Sequence, residues 1–128
     1  MLDTSAAVLL RDNDAGAKSA LARLNALPML SAVTRVELEG GMYARPAMTA
    51  QRRRRLDQLL SSLAVVDFDS RMAGIYGSIV AQHGFSRRKI IDRMIAATAL
   101  AQGAVLITAN VDDFVEIDDL KLETWPCG

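Results

Sequence analysis

The chain is poor in the residues that build disulfide, zinc and stacking sites: one cysteine, one histidine and 5% aromatics in 128 residues. A lone Cys127 cannot form an internal disulfide, which suits a reducing compartment. One histidine and one cysteine do not supply the ligands of a zinc centre. So few aromatics exclude an extended base-stacking platform. An excess of one charge is missing too, because fifteen basic and fifteen acidic side chains cancel. No overall field draws the protein to nucleic acid or membrane, and any such contact must come from a local patch. No apolar run approaches the roughly 20 residues of a membrane span. Asp3 stands too close to Met1 for the regions of a signal peptide. A cytoplasmic protein that uses no membrane is expected.

What is present is globular. The composition is 51% hydrophobic and 23% charged, and a chain of this length buries a core as one domain, residues 1–128. "MLD" reads as a strand end, with a helix starting at Thr4. "KSALARLNAL" (18–27) has helical spacing and Pro28 to stop it. "MLSAV" (29–33) reads as a short buried strand. In "TRVELEGG", Thr34 and Glu37 have capping-box spacing, and Gly40 and Gly41 weaken the helix. Residues 49–63 form an amphipathic helix with Leu56, Leu59, Leu60 and Leu63 on one stripe. "AVVDF" is a strand, and the helix after it starts at Asp69 or Ser70 and closes at Gly84. The helix of "KIIDRMIAATAL" ends at Gly103, "AVLIT" (104–108) is the clearest strand, and "LKLETW" is the last. Strands alternating with helices predict a three-layer α/β/α sandwich around a mainly parallel sheet.

Asp92 is the awkward residue in this pattern. It sits just inside a helix among Ile90, Ile91, Met94 and Ile95, where a carboxylate is costly unless compensated. In open parallel sheets, ligands bind beyond the carboxyl ends of the strands. Asp3 ends the first strand, Glu37 lies one turn into the helix after the second, and Asn110 and Asp113 follow "AVLIT". Asp92 near the start of its helix is drawn to the same rim. Carboxylates gathered there repel and drive their pKa values apart. Mg²⁺ or Mn²⁺, which favour oxygen ligands, would resolve the conflict through Asp3, Glu37, Asp92 and Asp113, with metal-assisted phosphodiester hydrolysis as the natural chemistry.

"LDTSA", "SAVTRVELEGG", "DRMIAATALA" and "LITANVDDF", in that order, resemble the motifs of PIN-domain ribonucleases, and the chain looks most like VapC-type toxins of bacterial toxin–antitoxin pairs. The resemblance spans the chain from Asp3 to the final strand. It implies a PIN-like fold, cleavage of RNA with Mg²⁺ or Mn²⁺, transfer or ribosomal RNA as substrate class, a homodimer, and silencing by a cognate VapB-type antitoxin. It places Asp3, Glu37 and Asp92 on the family's acidic positions and Asn110 on the fourth, with Asp113 as the next acidic candidate. It matches Thr4, Ser5 and Thr108 to hydroxyl positions that orient carboxylates or a phosphate. Asn110 is neutral, which leaves one-metal and two-metal chemistry open and favours the alternative of a catalytically inactive PIN-like RNA- or protein-binding module. A haloacid-dehalogenase-type phosphatase would need a second aspartate where Ser5 stands.

Each residue also has a plain structural role available. Asp3 fits a solvated strand end, Glu37 a capping box with Thr34, Asp92 the positive end of a helix, and Asp112 and Asp113 an ordinary loop. The functional reading rests on the joint pattern. For the RNA backbone, "SRRK" (86–89) with Arg93 leads into the helix bearing Asp92, so Arg87, Arg88 and Arg93 are the expected phosphate contacts. The run Arg52 to Arg55 spreads around a helical turn and stays undecided between a solvated face, paired with Asp57, and phosphate contact. Leucines of "LDQLLSSL" are assigned by the resemblance to core, dimer seam or antitoxin groove.

Overall fold

Leu2 ties the sheet together. In the computed structural model, which describes residues 1–125 and leaves Cys127 outside the described residues, Leu2 bridges in parallel to Leu30 on one side and Ile107 on the other. Backbone hydrogen bonds fix it there: Leu2 N–H to Met29 O (2.9 Å), Ile107 N–H to Met1 O (2.7 Å) and Asp3 N–H to Ile107 O (2.9 Å). Outward from Leu30, β1 (Leu30–Ser31) pairs with β2 (Val65–Val66). Outward from Ile107, β3 (Leu106–Thr108) pairs with β4 (Leu122–Thr124). The order across the sheet is β2, β1, the N-terminal stretch, β3, β4, and every pairing is parallel.

Successive strand residues point to opposite faces, and the apolar side chains sort accordingly. Leu2, Leu30, Val65 and Ile107 join one cluster with Ala6, Ala7 and Leu10 of α1 (Thr4–Arg11), Ala17 and Ala20 of α2 (Ala15–Ala22) and Leu56 of α4 (Thr49–Ser62). Met1, Met29, Val66 and Leu106 join the other, with Ile79 of α5 (Ser70–His83) and Ile95, Ala96 and Ala99 of α6 (Ile90–Gln102). α3 (Ala32–Gly41) contributes Leu38 to the first cluster and Val33 to the second. A parallel sheet buried on both faces is the expected three-layer α/β/α arrangement.

Three local expectations differ. The second helix runs Ala15–Ala22 instead of 18–27, because Asp14 caps it, accepting from Ala17 N–H at 2.9 Å. It unwinds well before Pro28 through tight bonds from Arg23 and Leu24 N–H to Ala20 and Leu21 carbonyls. The third helix starts directly out of β1, capped by Ser31, whose Oγ accepts from Val33 N–H at 3.0 Å. Thr34 is therefore buried inside the helix and the capping box with Glu37 does not form. The strands are two or three residues long, shorter than the apolar runs that contain them. Other boundaries follow the local signals. Asp69 caps α5 (Met72 N–H to Oδ1, 3.0 Å), Gly84 closes it at φ 83°, and Gly103 closes α6 in the left-handed region at φ 61° that glycine adopts freely. Among the described residues no helix is long and apolar enough to cross a membrane.

Leu2 is fully buried and sits between the two halves of the sheet. Leu2→Ala is expected to cost about 2–5 kcal/mol in urea unfolding, whereas Leu27→Ala, at a residue that is 65% exposed, should change stability by less than about 0.5 kcal/mol. Equal effects at the two positions would contradict this arrangement.

Candidate active site

The chain leaves the centre of the sheet through β1 and β2, then crosses back to β3 on the other side of the N-terminal stretch. The carboxyl ends of that stretch and β3 thus flank the crevice where open parallel sheets bind ligands. Asp3 lies at this point and does two things at once. Its backbone ends the sheet, and its Oδ1 caps α1 by accepting from Ala6 N–H at 2.9 Å. The side chain is buried, only 4% exposed. Ser5 Oγ donates to Oδ1 at 2.7 Å and Thr108 Oγ1 donates to Oδ2 at 2.6 Å. These donors give both oxygens of a carboxyl withdrawn from water a hydrogen-bond partner. Each hydroxyl also accepts from the loop beyond β3: Ala109 N–H to Ser5 Oγ at 3.0 Å and Asn110 N–H to Thr108 Oγ1 at 2.9 Å. One small network therefore orients Asp3 and fixes the start of the loop that carries Asn110 and Asp113.

Glu37 reaches the rim from the second turn of α3. Freed from capping, its Oε1 accepts from Thr4 Oγ1, which also lies 3.4 Å from Thr34 Oγ1. Asp92 stands in the first turn of α6, a helix with no side-chain cap. Its carboxyl is pushed up to about 6, first by burial and then by the negative charges of Asp113, Glu37 and Asp3, with Lys89 acting in the opposite direction. Those three acids come from three other segments: the end of the N-terminal stretch, α3 and the loop after β3. Asp113 ends the one-turn 3₁₀ segment Val111–Asp113, and Asn110 caps that turn, exposed to solvent.

The donor set suits a hard divalent cation: oxygen ligands only, with negative charge left unbalanced. Among the described residues no group of three carboxylate, imidazole or thiolate side chains is closed up enough to grip an ion by itself. Mg²⁺ sites need only one or two direct carboxylates, the rest of the shell being water and phosphate oxygens, so an open ring fits.

The basic residues divide. Arg87 and Arg88 are exposed on the short 3₁₀ turn Arg87–Lys89 that leads into α6. Arg93 is only 3% exposed, and its guanidinium is occupied inside the protein: Nη1 donates to Gly84 O at 2.6 Å and Nη2 to Glu116 Oε1 at 3.2 Å. It is not placed to meet a substrate, because position 93 on α6 points inward under the Gly84 turn. In the arginine run, Arg52 donates to Gly41 O at 2.8 Å, covering the end of α3, and Arg53 bridges Glu39 (2.6 Å) and Asp57 (2.7 Å). Glu116, which joins Arg93 and Lys89, escaped the sequence reading because an acid in a loop carries no spacing signal. A separate cavity of about 220 Å³, lined by Leu10, Leu21, Leu59 and Leu63 with Arg11, Lys18 and Arg55, contains none of the site acids.

The chain is similar to known proteins over almost its whole length. Residues 1–120 match the family described as PIN domain. The chain is 30% identical over 100 residues to ribonuclease VapC2 of Rickettsia felis, covering 75% of this chain and 72% of the relative. It is 28% identical over 128 residues to the tRNA(fMet)-specific endonuclease VapC of Shigella flexneri, covering 98% and 96%. In three dimensions it superposes on a crystal structure of VapBC2 from Rickettsia felis, bound to a promoter DNA fragment, with a TM-score of 0.84, 28% identity and 98% of both chains covered. With a PIN-domain match over residues 1–120 and relatives of this kind, the chain belongs to the PIN-domain family, as one of its VapC-type members.

Proposed function

We propose that this chain is the endoribonuclease toxin of a toxin–antitoxin pair, acting in the cytoplasm as one PIN domain and dependent on Mg²⁺ or Mn²⁺. The observation that carries the metal dependence is the set of acids at one end of the sheet: Asp3 at the strand end, Glu37 held by Thr4, Asp92 in the first turn of α6 and Asp113 in the loop after β3. Asp3, Glu37, Asp92 and Asp113 would hold the ion, directly or through water, and Asn110 would contribute a neutral oxygen. The bound ion would supply an activated water and charge stabilisation at a phosphoryl oxygen. The protein's own part is orientation. Thr108, Ser5 and the Ala6 N–H hold the Asp3 carboxyl in place, and Thr4 holds Glu37 toward the crevice. Exposed Arg87 and Arg88 beside the start of α6 fit the RNA backbone, and their contribution should weaken with salt.

Structured RNA, of the transfer or ribosomal class, is the proposed substrate, in line with the tRNA-directed name of the Shigella flexneri relative. A VapB-type antitoxin is the proposed partner, in line with the VapBC complexes among the neighbours. The apolar cavity with Leu10, Leu21, Leu59 and Leu63 on its walls suits the apolar face of an antitoxin helix, and Lys18 and Arg55 suit its acids. A homodimer completes the proposed assembly. Neutral Asn110 favours a second reading, a PIN-like RNA- or protein-binding module without catalysis.

Incubation of the protein with transfer and ribosomal RNA separates the two readings. Cleavage should require Mg²⁺ or Mn²⁺, stop with EDTA, and fall by about 10²-fold or more in folded Asp3→Asn and Asp92→Asn variants, since even residues that only orient metal ligands cost 10–100-fold. Full cutting by both variants would overturn the site, and RNA binding without cutting would establish the module.

The raised carboxyl also fixes a pH dependence. Asp92 holds its proton more tightly folded (about 6) than unfolded (3.8), so its contribution favours the folded state below about pH 4 and is lost as pH rises through about 6. Thermal melts of EDTA-treated protein should show Asp92→Asn more stable than the parent at pH 7 by about 1 kcal/mol, a few degrees in Tm, because solvent screens a half-buried group. The advantage should vanish near pH 4. Added Mg²⁺ should raise the parent's Tm more at pH 7 than at pH 5, where protons compete for the ligands. A pH-independent difference between the variants would contradict the electrostatic account.

A further inference from the structure

We propose that Glu116 is a positioning residue of the metal site: it fastens the segment carrying Asp113 to the helix turn carrying Asp92 and thereby sets the spacing of the two carboxylates. This rests on the metal-dependent ribonuclease reading. Glu116 lies three residues beyond Asp113. Its Oε2 accepts from Lys89 Nζ at 3.1 Å and its Oε1 from Arg93 Nη2 at 3.2 Å. The two donors bracket Asp92 in the chain, Lys89 at the cap position of α6 and Arg93 one residue after it. Arg93 is a firm anchor, because it is buried and its Nη1 is held by the Gly84 carbonyl at 2.6 Å. Hydrogen bonds from Lys89 and then Arg93 hold the Glu116 carboxyl below its ordinary range, so it stays charged in the pH range of the site.

Around this clamp the segment hangs on apolar pegs. Phe114 is fully buried and Ile117 is 7% exposed, while Val115 between them is open to solvent. Phe114 fixes where the backbone passes but not how the turn before it is rotated. The bidentate link from Glu116 to α6 supplies the second point that a rotation needs. Losing Glu116 would free the segment carrying Asp113 from Lys89 and Arg93 at the start of α6, and a loosened Asp113 weakens cation binding.

The test compares the full chain with Glu116→Ala and Glu116→Gln, reading Mn²⁺ dissociation by calorimetry on the RNA-free protein and steady-state cleavage of a transfer RNA. The expected result for Glu116→Ala is a 10- to 100-fold loss of Mn²⁺ affinity, the range for residues that orient ligands. A lower kcat with an unchanged KM for RNA should accompany it. Glu116→Gln, which keeps an acceptor for Arg93, should lie between, and carries the comparison if the alanine variant fails to fold. By contrast Arg88→Ala should raise KM. Parent-like Mn²⁺ binding in Glu116→Ala, or a rise in KM at constant kcat, overturns the proposal while parental RNA cleavage keeps the ribonuclease reading. Mn²⁺ binding without any RNA cleavage by the parent overturns that reading, and the affinity comparison still decides Glu116. A parent that binds no Mn²⁺ overturns both.

Discussion

The hydrogen-bonded burial of Asp3 is the constraint on which the rest of this structure depends. A carboxylate at 4% exposure is costly without compensation. The chain surrounds it with a helix N–H and two hydroxyls whose protons are committed to it. Because one of those hydroxyls belongs to Thr108, keeping Asp3 buried with its hydrogen bonds made requires β3 to stay in register with Leu2. Because the other belongs to Ser5, it also requires α1 to begin immediately after the strand. Sheet register, helix start and orientation of the acid are thus a single condition, and a change at Ser5 or Thr108 would be felt in all three.

The neighbouring acids are handled in the opposite way. Glu37 and Asp113 are exposed, and water screens them. Asp92 is half-buried in the first turn of a helix that lacks a capping side chain. The helix dipole favours a carboxylate there by about 0.3–1 kcal/mol. Yet burial and three like charges outweigh that and Lys89 together, since the carboxyl is raised rather than lowered. Burial and then three like charges thus act on one group together. Such an arrangement is unfavourable for a purely structural acid and sensible for one awaiting a counter-charge.

How much of this was legible in the sequence depended on whether the signal was local. Asp69, Gly84 and Gly103 announced their helix ends because caps and left-handed closures involve neighbours in the chain. The proximity of Asp3, Glu37, Asp92 and Asp113 was legible because strand–helix alternation puts the carboxyl ends of parallel strands on one edge, whatever the exact strand lengths. Thr34 with Glu37 misled because Ser31, three residues earlier, offered an equally good cap and β1 ended just before it. Arg93 misled because charge density says nothing of direction. Its position on α6 points beneath the Gly84 turn, while Arg87 and Arg88 on the preceding turn face solvent. Glu116 and the Lys89 partnership depend on two segments 27 residues apart meeting in space, and no spacing rule reports that.

Asn110 gains a physical reason from the same balance. Its backbone N–H is bound to Thr108 Oγ1, the hydroxyl that donates to Asp3. A carboxylate at 110 would add a further negative charge a few residues from Asp113, which, after burial, is the largest cause that raises Asp92 to about 6. The amide adds no such charge. Under the proposed metal site, a neutral residue at 110 would lower the charge that a bound cation has to neutralise.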